Sequence, residues 1–163
     1  MQRKFAAFAT ATFLAFPMLA VAQDAPTVKD VNVSVDISAV QNAAAAAYWG
    51  NLESDLKAAI LAGLANQIAD DGANITVDIS EVELASGFAG AVGIGNTILK
   101  GTVNQTHDTN NGRFHSYELT VDIQQSLPAL GEGFDINAVD VDTTKVYQAM
   151  VTTFANQVVA GVK

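Results

Sequence analysis

The sequence lacks cysteine altogether and contains few basic residues. Without cysteine the chain forms no disulfide and offers no thiolate for catalysis or metal binding. Eight lysine and arginine residues stand against 17 aspartate and glutamate residues, which gives a formal net charge of −9. The phosphate groups of nucleic acids repel such an acidic surface, and so do anionic lipid head groups. We therefore expect no nucleic-acid partner.

Long hydrophobic runs are also scarce, and the one that occurs lies within residues 1–22. Arg3 and Lys4 precede it, and it ends at Ala20-Val21-Ala22, a small-x-small pattern. This arrangement predicts a secretory signal peptide that is cleaved after Ala22. A retained membrane anchor is the alternative. It is disfavoured because a span needs about 20 apolar residues, whereas this run is shorter and contains threonine and proline.

Residues 23–163 are expected to form a single domain that works in the periplasm or outside the cell. Their apolar content suffices for a packed core and is too high for disorder. Cleavage would remove two basic residues and no acidic one, leaving six basic against 17 acidic residues, a formal charge of −11. No transmembrane segment is expected in this mature chain, since no other stretch is long and apolar enough.

Alternation of apolar and polar residues predicts strands at 31–37 and 75–79. Alternate side chains of a strand lie on one face, so each strand is expected to be half buried. The alternation changes phase after Ile79, where Val82 and Leu84 fall on the other parity. A bulge at residues 80–81 would produce this change of phase.

Two apolar stripes with helical spacing predict long helices. A shorter helix before them is expected to begin at Ala39, because Ser38 and Gln41 have the spacing of a capping box. Asp142 or Thr143 is expected to cap the last helix. The stripes consist of Leu52, Leu56, Ile60, Leu64 and Ile68, and of Val146, Met150, Phe154, Val158 and Val162.

An Asn-Asn-Gly sequence at 110–112 predicts a tight turn between two further strands. A two-residue turn would put apolar residues on opposite faces, which a half-buried sheet does not tolerate. A three-residue loop avoids this conflict and pairs positions whose numbers sum to 222. In this register Leu99 faces Ile123, and Lys100 faces Asp122. The opposite charges of the second pair favour the register further.

The predicted elements define an α+β fold with the order β-α-β-β-β-α. The first step, from strand through helix to strand, is expected to be a parallel crossover. Helices with a single apolar stripe each bury that stripe against one face of a sheet. We therefore predict a two-layer sandwich, in which a four-stranded mixed or antiparallel sheet carries its helices on one face.

The two histidines are the candidate metal ligands. The 222 register makes His107 and His115 direct cross-strand neighbours near the hairpin end, and two opposed imidazoles can hold zinc or copper. A zinc site wants a third ligand, and a catalytic site also needs an open position. The next pair on that face, Thr109 and Arg113, offers a cation in place of a ligand. The alternative is that both histidines are partly exposed polar residues.

A glycine-rich stretch at 86–95 contains three large apolar residues, Phe88, Val92 and Ile94. It is not a phosphate-binding loop, because it lacks the Gly-Lys-Ser/Thr ending and leads into a strand. Its composition is similar to that of membrane-active fusion segments. These three side chains are therefore candidates for contact with a partner or a membrane. The alternative is that they fold back onto the core.

The remaining motifs favour a protein without a cofactor and without enzymatic activity. An oxygen-rich cluster of the kind that binds calcium is formed by Asp135, Asn137, Asp140 and Asp142. It does not match the calcium-binding loop of an EF-hand, because Asp140 occupies the position of the required glycine. Sequences of the G-x-S-x-G and H-E-x-x-H types, which mark hydrolases, are absent.

One stretch of the chain carries a resemblance to known proteins. From residues 48–56, Tyr-Trp-Gly-Asn-Leu-Glu-Ser-Asp-Leu, to residues 77–84, Val-Asp-Ile-Ser-Glu-Val-Glu-Leu, the chain looks like small exported bacterial proteins of unknown activity. The order of elements is similar to that of envelope accessory lipoproteins, although the cysteine that carries the lipid is missing here. The resemblance implies a periplasmic location. It implies no activity and transfers no functional residue.

The sequence thus favours an exported, non-enzymatic binding or accessory protein, with an envelope protein as its partner. One alternative is a metal-dependent hydrolase that uses His107 and His115. The other is a peripheral membrane protein that docks through the loop at 86–95.

Overall fold

A computed structural model describes residues 26–36, 43–83, 97–136, 138 and 141–163 and shows an α+β fold in these ranges. A four-stranded sheet carries its helices on one side, as the sequence predicts. The elements are β1 (Val28–Val35), α1 (Ala43–Tyr48), α2 (Leu52–Gly63), β2 (Ala73–Glu83), β3 (Ile98–Thr106), β4 (His115–Asp122), α3 (Ile123–Leu130) and α4 (Thr143–Ala160).

The sheet has the strand order β1-β2-β3-β4 and is mixed. β1 and β2 are parallel, which confirms the predicted crossover, and the two remaining strand pairs are antiparallel. The pairing of β2 with β3 shifts register between Ile79 and Glu81. This shift confirms the bulge that the change of phase after Ile79 predicts.

The core lies between the helices and one face of the sheet. In β2 up to Ser80, in β3 and in β4 the more buried positions alternate with more exposed ones, so the other face of the sheet carries mainly hydroxyl, amide and charged groups. Burying one large aliphatic side chain contributes about 1.5–3 kcal/mol, and both predicted helix stripes supply such residues. Their fully buried members include Leu52, Leu56, Ile60, Met150, Phe154 and Val158.

The helix predicted to reach Ile68 ends earlier. α2 stops at Gly63, and the side chain of Ile68 is 49% exposed. The reason lies in the edge of the sheet: the amide of Val28 donates to the carbonyl of Gln67, and the amide of Ala69 donates to the carbonyl of Val28. Backbone pairing with β1 therefore replaces the last helical turn. The predicted start of α1 at Ala39 lies outside the described residues.

Gly72 permits the close approach of this segment to β1. A Cβ atom at Gly72 would lie 2.5 Å from the carbonyl carbon of Val28 and 2.6 Å from its nitrogen. Such contacts with backbone cannot be relieved by a side-chain rotation. A glycine is therefore required where the chain passes the beginning of β1 and enters β2.

The hairpin of β3 and β4 differs from the predicted register. Paired positions sum to 220, so Leu99 faces Val121 and Lys100 faces Thr120. The prediction was wrong by two residues, a shift that keeps each side chain on its predicted face. The connection is longer than three residues, since Gln105 and His115 form the last pair and a 3-10 helix, Asn111–Arg113, lies between them.

The chain leaves the sheet at Asp122 and begins α3, a helix that the sequence analysis does not predict. The side chain of Asp122 accepts a hydrogen bond from the amide of Gln125 at 2.8 Å, and the side chain of Gln125 accepts one from the amide of Asp122. This is a capping box. Ile123, predicted to face Leu99 across the hairpin, is instead the first residue of α3 and is buried.

An aromatic cluster joins α1 to α4. Tyr48 packs edge-on against Trp49 and Tyr147, with ring centroids 4.9 and 5.4 Å apart. The hydroxyl of Tyr48 donates to the carbonyl of Thr143, and that of Tyr147 donates to a carboxylate oxygen of Asp55, both at 2.7 Å. Burial raises the pKa of both tyrosines, and for Tyr147 the hydrogen bond to Asp55 raises it further.

Within the described ranges, no helix combines the length and the apolar composition needed to cross a membrane.

Candidate functional site

The loop between β3 and β4 encloses a cavity of about 350 Å³ at one end of the sheet. Five residues of the segment 106–114 line it. A pocket of this size lies at the lower end of the range for small ligands. We call it the hairpin pocket, and it is lined by Thr106, His107, Asn110, Asn111 and Phe114.

His107 gives the hairpin pocket its most distinctive polar group. The Nε2 atom of His107 is buried and has no hydrogen-bond partner among the described residues. Buried polar atoms are paired in the great majority of cases, because an unpaired one retains the full cost of desolvation. An imidazole nitrogen accepts or donates according to its tautomer. It can therefore bind either a donor or an acceptor on a ligand.

Phe114 supplies the apolar part of the hairpin pocket. Its side chain is 59% exposed, more than that of any other large apolar residue in the described ranges. Aromatic side chains are enriched among the residues that contribute most to protein interfaces. An exposed phenyl ring beside an unpaired imidazole nitrogen can therefore hold a group that has an apolar body and one polar end.

Asp108 fixes the loop to the two neighbouring strands. One carboxylate oxygen accepts a hydrogen bond from Nζ of Lys29 in β1, and the other accepts one from Nδ2 of Asn74 in β2 at 2.6 Å. These two hydrogen bonds and the charge of Lys29 hold the pKa of Asp108 below its ordinary value. The same pair raises the pKa of Lys29. Asp108, the residue that follows His107, is thus bonded to β1 and β2.

The backbone of the loop is shaped by Asn110. Its side-chain oxygen accepts a hydrogen bond from the amide of Gly112 at 2.9 Å and so caps the 3-10 helix. Asparagine often makes this bond to the residue two positions later, which favours a turn over a continued strand. The predicted turn at 110–112 is therefore present, but as one part of a longer loop.

The two histidines are not the cross-strand neighbours that the 222 register predicts. His115 pairs with Gln105, and its ring packs against that of Tyr117 at 5.2 Å. His107 lies beyond this last pair, in the loop. Among the described residues, no three His, Cys, Asp or Glu side chains come together in a group that could hold a metal ion. Metal binding by His107 and His115 stays a prediction.

Gln105 is a structural residue beside the site that the sequence analysis does not single out. Its side chain is 1% exposed. Its Nε2 donates to the carbonyl of Gly161 at 2.7 Å, and its Oε1 accepts from the amide of Lys163 at 3.2 Å. Gln105 lies an even number of positions after Leu99 and Val103, so a strand places all three on the face that meets the core. A polar residue at such a position is the sequence feature that could have revealed it.

The other predicted sites lie partly or wholly outside the described residues. Phe88, Val92 and Ile94 all do, so contact with a partner or membrane through the loop at 86–95 stays a prediction. Two of the four oxygen-bearing side chains at 135–142 do as well. Of the others, Asp142 accepts hydrogen bonds from the amides of Thr144 and Lys145 at 3.1 and 3.2 Å. This confirms its role as the cap of α4.

No protein-family profile matches the chain, and no curated protein matches it. Several solved bacterial structures are similar in fold. A PelC variant from Paraburkholderia phytofirmans, a dodecamer, has 12% identity and a TM-score of 0.42 over 81% of this chain and 85% of its own. A Xanthomonas campestris protein of the family DUF330 has 11% identity and a TM-score of 0.48 over 82% and 80%.

A minor lipoprotein from Acinetobacter baumannii has 14% identity and a TM-score of 0.31, over 85% of this chain and 92% of its own. Because every one of these TM-scores is below 0.5, none of the three bears on the ligand, assembly or activity of this chain.

Proposed function

We propose that the chain is an exported, non-enzymatic binding protein that contacts an envelope partner through the hairpin pocket. One observation carries the binding part of the proposal: the buried and unpaired Nε2 of His107 lines a cavity that also contains the exposed ring of Phe114. A ligand that forms a hydrogen bond with this nitrogen would offset the free-energy cost of burying it without a partner.

The export part of the proposal rests on the N-terminal sequence. A positive start, an apolar run and a small-x-small site are the three parts of a secretory signal peptide. Fractionation of cells that produce the full chain, followed by N-terminal sequencing, tests it. We expect the protein in the envelope or the medium, beginning at Gln23. A chain that begins at Met1 and stays in the cytoplasm would refute export.

Comparison of two variants tests the binding part. Phe114→Ser removes the exposed ring of the hairpin pocket, whereas Leu61→Ser removes an exposed apolar side chain from α2. After chemical crosslinking in cells, we expect the same partner to be isolated with the natural chain and with Leu61→Ser, and to be lost with Phe114→Ser. Equal recovery with all three proteins would show that the hairpin pocket is not the contact site.

A further inference from the structure

The outer edge of β4 is unoccupied in the described part of the fold. β4 is the last strand of the sheet and pairs only with β3. Backbone hydrogen bonds from other described segments reach β1 and β2, but none reaches residues 115–122. In an edge strand, alternate residues direct their N–H and C=O groups away from the sheet. Side chains of α3 bond the backbone of Asp122, and the rest of β4 offers a row of backbone donors and acceptors.

The opposite edge of the sheet carries protective features at its start that β4 does not have. β1 contains Lys29, shifts register between Val28 and Asp30, and at its first residue, Val28, is bonded to Gln67 and Ala69. Charged residues, bulges and covering segments are the usual means by which proteins prevent unwanted strand pairing. β4, with the sequence HSYELTVD, has no lysine, no proline and no register shift against β3 over eight residues.

The hairpin pocket adjoins the start of β4. Phe114, which lines the hairpin pocket, directly precedes His115, the first residue of β4. Proteins that bind extended peptides by strand addition combine these two features: main-chain hydrogen bonds supply affinity, and a pocket beside the edge selects a side chain. The cavity of about 350 Å³ would accept one large side chain.

We propose that an extended segment of a partner polypeptide pairs with the outer edge of β4 and inserts one large side chain into the hairpin pocket. This inference rests on the proposed function and adds the class of the ligand. The inserted side chain has an apolar body, which packs on Phe114, and a polar end that bonds Nε2 of His107; tyrosine has both. Because the domain is acidic, the flanking residues are neutral or basic.

Peptide selection tests the inference. The probe is a phage-displayed library of random peptides of about 12 residues, long enough to span an eight-residue edge strand. It is presented to protein purified from cells that express the full chain. We expect peptides with a recurrent aromatic residue to be enriched. Their affinity should fall at least about tenfold with Phe114→Ser and should be unchanged with Leu61→Ser. Fluorescence of the single, buried Trp49 confirms that both variants are folded.

N-methylation of the selected peptide tests strand pairing separately, without a change in the protein. Two versions are made, each methylated at alternate backbone nitrogens. In strand addition only alternate N–H groups of the peptide face β4, so one version should lose binding and the other should keep it. If both versions bind equally, or if both fail, pairing with the edge is wrong.

The outcomes separate the inference from the proposed function. If selected peptides depend on Phe114 but tolerate both sets of N-methyl groups, the hairpin pocket binds and the strand pairing is refuted. If no peptide is enriched, or if enriched peptides ignore Phe114→Ser, the peptide class itself is refuted. The proposed function fails by a different result, namely the recovery of the cellular partner with Phe114→Ser.

Discussion

The side-chain amide of Gln105 in β3 donates a hydrogen bond to the carbonyl oxygen of Gly161, the residue that follows α4, at 2.7 Å. The same side chain accepts a hydrogen bond from the amide of Lys163. One buried glutamine thus pairs with a carbonyl and an amide of the segment that follows the last helix, and α-helices leave their C-terminal carbonyls without internal partners. It joins the strand that leads into the hairpin pocket to the helix that covers the core.

Gln105→Ala should lower the free energy of unfolding by about 1–3 kcal/mol, because two part-buried backbone groups lose their hydrogen-bond partner. Urea unfolding followed by the fluorescence of Trp49 measures this change. Gln124→Ala, at an exposed position of α3, is the matched control and should have an effect below about 0.5 kcal/mol. Equal effects of the two substitutions would show that the contacts of Gln105 contribute nothing beyond those of a surface glutamine.

Stability should fall as the pH rises above about 10, the ordinary pKa of tyrosine. Burial raises the pKa of Tyr48 and Tyr147 in the folded chain, so the unfolded chain loses its phenolic protons first. The stabilisation is complete below the unfolded pKa and is lost as the pH rises toward the folded pKa. Each tyrosine contributes a slope of at most about 1.4 kcal/mol per pH unit.

Unfolding midpoints measured between neutral and alkaline pH test this dependence. Replacing both tyrosines by phenylalanine should make the alkaline slope shallower, at the cost of the hydrogen bonds to Thr143 and Asp55. An unchanged slope in the double variant would assign the alkaline transition to other groups.

Asp108→Ala should loosen the hairpin loop without unfolding the domain. The substitution removes the hydrogen bonds from Lys29 and Asn74 that hold the loop to β1 and β2. Amide hydrogen exchange at residues 107–114 should become several-fold faster, while exchange in the core stays unchanged. Asp71→Ala replaces an exposed carboxylate on the turn before β2 and serves as the control.

The same loop should respond to acid. The pKa of Asp108 is lowered by its partners, so the carboxylate and its two hydrogen bonds persist below the ordinary carboxyl range and are lost as the pH falls through the lowered pKa. Loop exchange that accelerates only when the core unfolds would contradict this expectation.

Zinc distinguishes the metal hypothesis from the binding pocket. The observed register gives the two histidines different neighbours, so we expect excess zinc to leave the unfolding midpoint unchanged. A rise in the unfolding midpoint with zinc that is lost when His107→Ala and His115→Ala are combined would support a metal site at the two histidines.

In the peptide assay, His107→Ala should weaken binding and His115→Gln should not, because only His107 lines the hairpin pocket.

Much of the fold follows from the sequence because it depends on periodicity. Alternation located the strands and the bulge after Ile79, and the apolar stripe of α4 matches its buried face. The predictions of secondary structure fail where hydrogen bonds of individual residues override the periodicity. Ile68 continues a helical stripe, yet backbone bonds between Val28 and the residues beside Ile68 end the helix. The Asp122–Gln125 capping box was present in the sequence and would have predicted α3.

The candidate site could be predicted only in part. Both histidines were identified by residue type, but whether they meet depends on a two-residue shift in register that alternation does not detect, because both registers keep the same faces. The exposure of Phe114 and the unpaired nitrogen of His107 are consequences of the long loop. A tight three-residue turn would have left no room for either.

Site-specific photo-crosslinking in living cells tests the central claim most directly. A photoreactive phenylalanine analogue is placed at position 114 in the hairpin pocket or, as the control, at position 61 on α2, in the full-length chain. We predict a discrete crosslinked partner from position 114 alone, with a yield that falls when His107→Ala is added. If position 114 gives only the background that position 61 gives, the hairpin pocket is not where this protein binds.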